Sequence, residues 1–421
     1  MTEPRHLHPS DLRGFARLAT SATAGLADLV EAMHQTIARP LLGEDRQTPE
    51  RTRGITGLVY KSVRGVTRLV GGGLDAILSL LTPTLAGRAS SIEREAVLAA
   101  LNGVLGDYLV ASGNPLAIPM SLRRDGRSLA LETRALAAAI PQHGGKLLVL
   151  AHGLCMNDLQ WNRAGHDHGA ALALALGYTP IYLHYNSGLH TSINGRAFAD
   201  LLETMVEQWP HPVEELAIVA HSMGGLVTRS ACHYGAVAEH HWRRKLRGVV
   251  FLGTPHHGAP LERGGNWVDV ILGAVPYSAP FSRLGKIRSA GITDLRYGNV
   301  IDEHWEGRDR FARVGGARQF MPLPKGVRCY AMAATTGKKS GDLRDRLLGD
   351  GLVPVDSALG RPEDARFTLA FPKSRQWIGY GMNHLDLLGR TEVSDRIIRW
   401  LAGTTTISRA RAAMDPSTIE R

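Results

Sequence analysis

The chain is poor in cysteine, with Cys155, Cys232 and Cys329 its only three in 421 residues. So few thiols, so far apart, exclude a disulfide framework and a cysteine-rich zinc site, and they fit a reducing compartment. Also missing is any uninterrupted apolar run of the roughly 20 residues that a membrane span needs. The stretch from His168 to Gly195 lacks Asp, Glu, Lys and Arg, but Gly177, Pro180, Asn186 and Gly188 break it into helix, strand and loop. Met1–Arg17 is polar and mixed in charge with no apolar core, so it does not read as a signal peptide. The expected location is the cytoplasm, with peripheral membrane contact left open. No internal repeat and no nucleic-acid-binding motif is present.

What is there is ordinary for a globular protein: 44% hydrophobic and 21% charged residues. The length suits one large α/β domain with an extension. The net charge of +10 fits either an anionic partner surface or plain solubility.

Residues 1–110 read as a helical amino-terminal extension. Leu12, Phe15, Leu18, Ala22, Leu26, Leu29, Val30, Met33 and Ile37 recur at helical spacing, and a third, shorter pattern covers Ile92 to Leu109. Between them, the pattern from Arg51 to Leu74 carries Arg51, Arg53, Lys61, Arg64 and Arg68 with no acid, and it is rich in glycine. Glycine weakens an isolated helix by about 1 kcal/mol each, so this one needs a surface to lie on. That surface is either the protein's own core or an anionic membrane.

Residues 111–403 read as the second domain. Ala117 to Leu131 forms a hairpin around Asp125-Gly126. From Lys146 onward, apolar strands at Leu147–Ala151, Pro180–His184, Leu216–Ala220, Leu246–Leu252 and Val327–Ala333 alternate with helical patterns. Such alternation predicts a mostly parallel sheet with helices on both faces. Residues 259–325 interrupt it with a Gly-, Pro- and Arg-rich stretch expected to form a cap or lid. The tail, 404–421, has no apolar face and is expected to be flexible.

The chemistry concentrates at Leu216-Ala-Ile-Val-Ala220-His-Ser222-Met-Gly224-Gly225. A β-branched run ends in a serine between small residues and is followed at once by a helical pattern, which is the signature of a nucleophile elbow. A serine hydroxyl needs a base to take its proton, and the base needs an orienting acid. In this architecture the acid and then the histidine follow the serine in the chain. His384 in Gly381-Met-Asn-His384-Leu-Asp-Leu-Leu is the candidate base and is expected to open the final helix. Asp350, freed by Gly349 and Gly351, is the candidate acid, with Asp345, Asp356 and Asp386 as rivals. Oxyanion donors are expected from the backbone N–H of Met223, after the nucleophile, and of Leu154, after the strand that ends in His152-Gly153. Cys155 reads as a neighbour of that loop.

With these motifs the chain resembles the α/β-hydrolase superfamily, in particular serine lipases and esterases, over roughly residues 117–403. Leu252-Gly-Thr254-Pro255-His256-His257-Gly258 also resembles lipases related to the glycosylphosphatidylinositol inositol-deacylases. The resemblance implies a serine hydrolase cleaving acyl or lipid esters through an acyl-enzyme, with Ser222, Asp350 and His384 as its triad and no cofactor or metal. An acyltransferase or thioesterase would use the same residues. The rival class is a non-enzymatic membrane- or granule-surface protein, which would have no need of an intact triad. His166-Asp167-His168 and His256-His257 lack a partner cluster at metal-ligand spacing. Tyr185-Asn-Ser-Gly-Leu-His190 either shapes the substrate pocket or is a tight loop.

Overall fold

The computed structural model describes residues 10–22, 90–141, 144–259, 289–307, 319–338 and 349–403. The basic segment Arg51–Leu74, the larger part of the expected cap and the tail lie outside them. The chain divides into two compact units, Met1–Arg94 with Leu109–Ala117, and Glu95–Tyr108 with Ile118–Arg421.

In the first unit, residues 10–22 are helical. Asp11 is buried and makes a paired contact with the Arg94 guanidinium at 2.6 and 2.7 Å. Asn114 donates to the Gly14 carbonyl at 3.1 Å, and a Cβ on Gly14 would lie 2.2 Å from the Leu116 side chain. Gly14 thus marks a close approach that the helical spacing alone does not show.

The second unit is built on eight strands: β1 (Ser121–Arg124), β2 (Arg127–Ser128), β3 (Lys146–Ala151), β4 (Thr179–His184), β5 (Glu215–His221), β6 (Leu246–Leu252), β7 (Arg328–Thr335) and β8 (Gln376–Tyr380). Their order across the sheet is β2-β1-β4-β3-β5-β6-β7-β8. The hairpin β1–β2 is antiparallel and joins β4 antiparallel, and every pair from β4 to β8 is parallel. Asp125 and Gly126 both take positive φ, 50° and 72°, as the two centre residues of a type I′ hairpin turn require.

The central strands bury both faces, which is why they read as continuous apolar runs. Val149, Ile218, Val249 and Ala331 join a core with Phe198 and Leu202 of the helix Thr191–Gln208 and with Leu226 and Val227 of the helix Met223–Val237. Leu148, Leu150, Val219, Val250 and Met332 face the other way, against Leu172 of the helix His168–Leu176 and Val393 and Ile397 of the helix Thr391–Ala402. An antiparallel leading hairpin, a parallel sheet covered on both faces and a strand–turn–helix at the end of β5 make this the α/β-hydrolase fold.

The helix Ile92–Ala111, expected within the extension, gives its middle, Glu95–Tyr108, to the sheet unit. The buried Asn102 accepts from Ile118 N–H at 2.9 Å, and Cβ atoms on Gly103 and Gly106 would strike Cys155 and Asn186. Within 259–325, the described helix Ala290–Tyr297 is buried along Ala290–Leu295 and capped by Ser289, whose hydroxyl donates to Gly103 O at 2.7 Å. That part is anchored in the domain body.

Candidate active site

At the end of β5 the chain turns through Ser222, with φ 54° and ψ −122°, into the helix Met223–Val237. A non-glycine residue at positive φ is strained, and it persists only where its surroundings hold it. Here Ser222 N–H donates to Leu252 O of the adjacent β6 at 2.8 Å. The small residues that follow are required by close approach. A Cβ on Gly224 would sit 2.4 Å from Ala151 O, and one on Gly225 would sit 2.0 Å from Thr254 Oγ1. The Ser222 hydroxyl is buried and makes no hydrogen bond among the described residues.

Asp350 and His384 come together from different loops. His384 Nδ1 lies 2.6 Å from Asp350 Oδ2, and both side chains are buried. The other carboxylate oxygen, Oδ1, accepts from the N–H groups of Leu352 and Val353 at 2.9 and 2.7 Å. The His384 N–H donates to Asp350 O at 3.1 Å, so backbone and side chain fix the pair together. As a carboxylate, Asp350 only accepts, so Nδ1 is the donor and Nε2 carries the lone pair. Gly349 and Gly351 adopt φ of 54° and 94°, the left-handed turn that brings the carboxylate inward. The His384 ring edge reaches Gly253, the residue after β6, where a Cβ would lie 2.9 Å from its Cε1.

The rival acids are elsewhere. Asp356 is exposed on the short helix Val355–Ala358. Asp386 accepts from Asn383 N–H at 2.9 Å and closes that turn. Asp345 lies outside the described residues. One expectation is corrected: His384 does not open the final helix. It sits in a loop before the 3₁₀ turn Asp386–Leu388, and the helix begins at Thr391, after Gly389 and Arg390 have interrupted the pattern.

The loop after β3 lies against the elbow. A Cβ on Gly153 would be 3.1 Å from both Ser222 Cβ and His221 Nδ1, so glycine there permits the contact. Leu154 and Met223, the expected oxyanion donors, are buried on either side of this contact in the chain. Met223 is the first residue of its helix, so its N–H has no intrahelical partner. The segment Tyr185–Ser187 braces the loop from behind. Tyr185 donates to His152 O at 2.8 Å and stacks on the His152 ring at 4.3 Å, and Cys155 N–H donates to Ser187 Oγ at 3.0 Å. Burial pushes the Cys155 thiol up to about 12, so it carries no thiolate at neutral pH.

Sequence reasoning missed two neighbours of the site. His221 packs its ring on His384 with centroids 4.6 Å apart. Near the loop after β3, Arg123 Nη1 bridges Glu95 at 2.7 Å and Asp158 at 3.2 Å, with His184 Nδ1 3.3 Å from Asp158. Burial alone would raise the Asp158 carboxyl, but the His184 contact and the Arg123 charge outweigh it and lower it. Glu95, Asp158 and His184 have metal-ligand atoms within 4.8 Å of one another, yet the Arg123 guanidinium already occupies the two carboxylates. The spacing of these residues in sequence, across a helix, two strands and a 3₁₀ turn, hides the cluster.

His166 and His168 are spent on each other. His168 Nε2 donates to Leu387 O at 2.8 Å, which leaves its Nδ1 to accept from His166 Nε2 at 3.0 Å. No lone pair on His168 remains for a metal.

Comparison with known proteins adds little. The model of a domain of unknown function, DUF7379, matches residues 129–278. No curated protein matches, so the resemblance to inositol-deacylases gains no support. Among solved structures, the mature lipase of Bacillus licheniformis is 15% identical with a TM-score of 0.40, covering 61% of this chain and 91% of that one. An esterase of Pyrococcus furiosus is 13% identical with a TM-score of 0.33, covering 61% of this chain and 80% of its own. A thioesterase from the prodiginine biosynthetic pathway of Streptomyces coelicolor is 14% identical with a TM-score of 0.34, covering 62% and 91%. At these values the fold rests on the chain's own topology.

Proposed function

We propose that this chain is a serine hydrolase of carboxylic esters, acting on small acyl or lipid esters through an acyl-enzyme. The observation that carries the reading is the buried Asp350–His384 pair at 2.6 Å, in a chain whose elbow holds Ser222 at a positive φ of 54°. Ser222 Oγ attacks the ester carbonyl carbon while His384 Nε2 takes its proton. Asp350 keeps the imidazole in the required tautomer and stabilises its cation. The N–H groups of Leu154 and Met223 bind the oxyanion. The bond to the alcohol oxygen then breaks, and His384 returns the proton to that oxygen. Water attacks the acyl-serine with His384 as base, and the carboxylic acid leaves. Substrate and water balance every step.

Cys155, Cys232 and Cys329, all buried free thiols, support a reducing, cytoplasmic setting. No helix among the described residues is long and apolar enough to cross a membrane.

The test is turnover of p-nitrophenyl acyl esters of graded length, alongside matched acyl thioesters, with and without lipid vesicles. Hydrolysis of esters by the wild type, reduced on the order of 10⁴-fold or more in Ser222→Ala, supports the reading. Absence of turnover on the whole ester series contradicts it, and selective cleavage of the thioesters moves the assignment to a thioesterase.

A further inference from the structure

Leu154 lies between two amides, and a different side chain holds each. The carbonyl of the first, Gly153 O, lies 2.8 Å from His152 Nδ1. A carbonyl only accepts, so Nδ1 bears the ring proton and donates. Burial lowers His152 from 6.5 to about 3, so the ring is neutral and Nδ1–H is its one donor. A peptide unit is planar and trans, so its N–H points opposite to its carbonyl. With Gly153 O turned to the imidazole, the Leu154 N–H is turned away from it. That N–H meets no acceptor among the described residues.

The second amide joins Leu154 to Cys155. Its N–H donates to Ser187 Oγ at 3.0 Å, and Cys155 stands at φ 58°. A non-glycine residue keeps that left-handed conformation only where its surroundings hold it. His152, Cys155 and Ser187 are all buried, and Tyr185 stacks on the His152 ring with 19° between the planes. Glycine at 153 leaves the opposite orientation of the first amide open to the backbone. That orientation would present a carbonyl oxygen where the Leu154 N–H now points.

We propose that His152 and Ser187 are positioning residues for the oxyanion donor: the imidazole latches the amide before Leu154 and the hydroxyl latches the amide after it, so the Leu154 N–H is set before substrate arrives. The proposal rests on the reading of Leu154 as an oxyanion donor in ester hydrolysis by Ser222. Both residues act through Leu154 and not on the substrate. A donor set in advance stabilises charge that develops only in the transition state, so its loss falls on kcat and spares KM.

Steady-state hydrolysis of a p-nitrophenyl ester by wild type, His152→Phe, His152→Asn, Ser187→Ala and Ser222→Ala tests this. Inhibition by a trifluoromethyl ketone, whose serine adduct carries the oxyanion, is measured in parallel. His152→Phe keeps a ring and removes the donor. It should lower kcat by about tenfold or more and weaken the ketone by a similar factor, with KM within about twofold of wild type. His152→Asn carries an N–H donor at the same place along the side chain and should recover much of both losses. Ser187→Ala removes one oxygen, should show the same split between kcat and KM, and serves where His152→Phe fails to fold. Wild-type kcat in a folded His152→Phe, or in Ser187→Ala, overturns the proposal. So does a loss that His152→Asn does not relieve, or one shared equally by KM, since either would make these packing residues. A wild type no more active than Ser222→Ala overturns the underlying reading as well, and is told apart from a failed latch, in which wild type is active and the variants match it.

Discussion

The ring of His221 lies 4.6 Å from that of His384, and its Nε2 is 3.3 Å from the His384 carbonyl oxygen. A carbonyl only accepts, so Nε2 of His221 bears the proton and ties the loop of the proposed base to the strand of the proposed nucleophile. Burial, then the neighbouring His384, hold His221 well below the ordinary histidine range. The residue therefore presents a neutral face to His384, where a cation would oppose the imidazolium of the proposed reaction.

His221→Phe keeps the ring contact and loses the bond to His384 O. It should lower kcat by about tenfold, in line with one buried hydrogen bond, with KM little changed. His221→Gln, which can still donate, should recover part of the loss. A fall confined to thermal stability, with kcat intact in both, would reduce His221 to a packing residue.

Gly153→Ala tests the proposed oxyanion loop. The added methyl would lie 3.1 Å from Ser222 Cβ and His221 Nδ1, so the loop bearing Leu154 must retreat. Loss of one oxyanion donor is worth about 10²–10³-fold in kcat, and a displaced donor should approach the lower figure. Steady-state kinetics that match wild type would remove Leu154 from the oxyanion site.

Asp350→Asn should lower kcat by about 10⁴-fold, because the amide favours the wrong histidine tautomer. Asp356→Asn, at an exposed position, should leave kinetics near wild type. The reverse ranking would identify the wrong acid.

Acid sensitivity follows from the buried histidines, His152 and His168 among them. Burial lowers His152 from 6.5 to about 3 and His168 from 6.5 to about 4. Between those values and 6.5 the unfolded chain binds protons that the folded chain does not, so stability falls as pH drops through that window. Each such histidine contributes about 1.4 kcal/mol per pH unit there. Urea midpoints should therefore be flat above about pH 7 and decline steadily below it. His168→Gln, which can still donate to Leu387 O, should make the decline shallower. A midpoint independent of pH down to about 5 would show that these rings already titrate in the folded state.

The central strands were legible because both of their faces are buried: runs such as Leu147–Ala151 and Leu246–Leu252 have no reading as exposed strands, whereas β8, only partly buried, gave no such run. Asp125-Gly126 marked the hairpin, and the small residues around Ser222 marked the elbow. Packing that joins distant segments was not legible. The glycines at 103 and 106 in the helix Ile92–Ala111 are the trace of its close approach to Cys155 and Asn186, but helical periodicity does not say what a glycine faces. The final helix was read too early because Leu385, Leu387 and Leu388 fit its apolar spacing, although they pack from a 3₁₀ turn. The Arg123–Glu95–Asp158 network depends on tertiary pairing alone. The basic segment Arg51–Leu74, expected to lie on core or on anionic membrane, falls outside the described residues.

The central claim is that Ser222 is an activated nucleophile. Its most direct test is incubation of the folded full chain with a fluorophosphonate probe, followed by peptide mass spectrometry. The account predicts one phosphonyl adduct, on Ser222, lost in Ser222→Ala and strongly slowed in His384→Ala and Asp350→Asn. Active, folded protein that takes up no label, or an adduct on another residue that persists in Ser222→Ala, would contradict it.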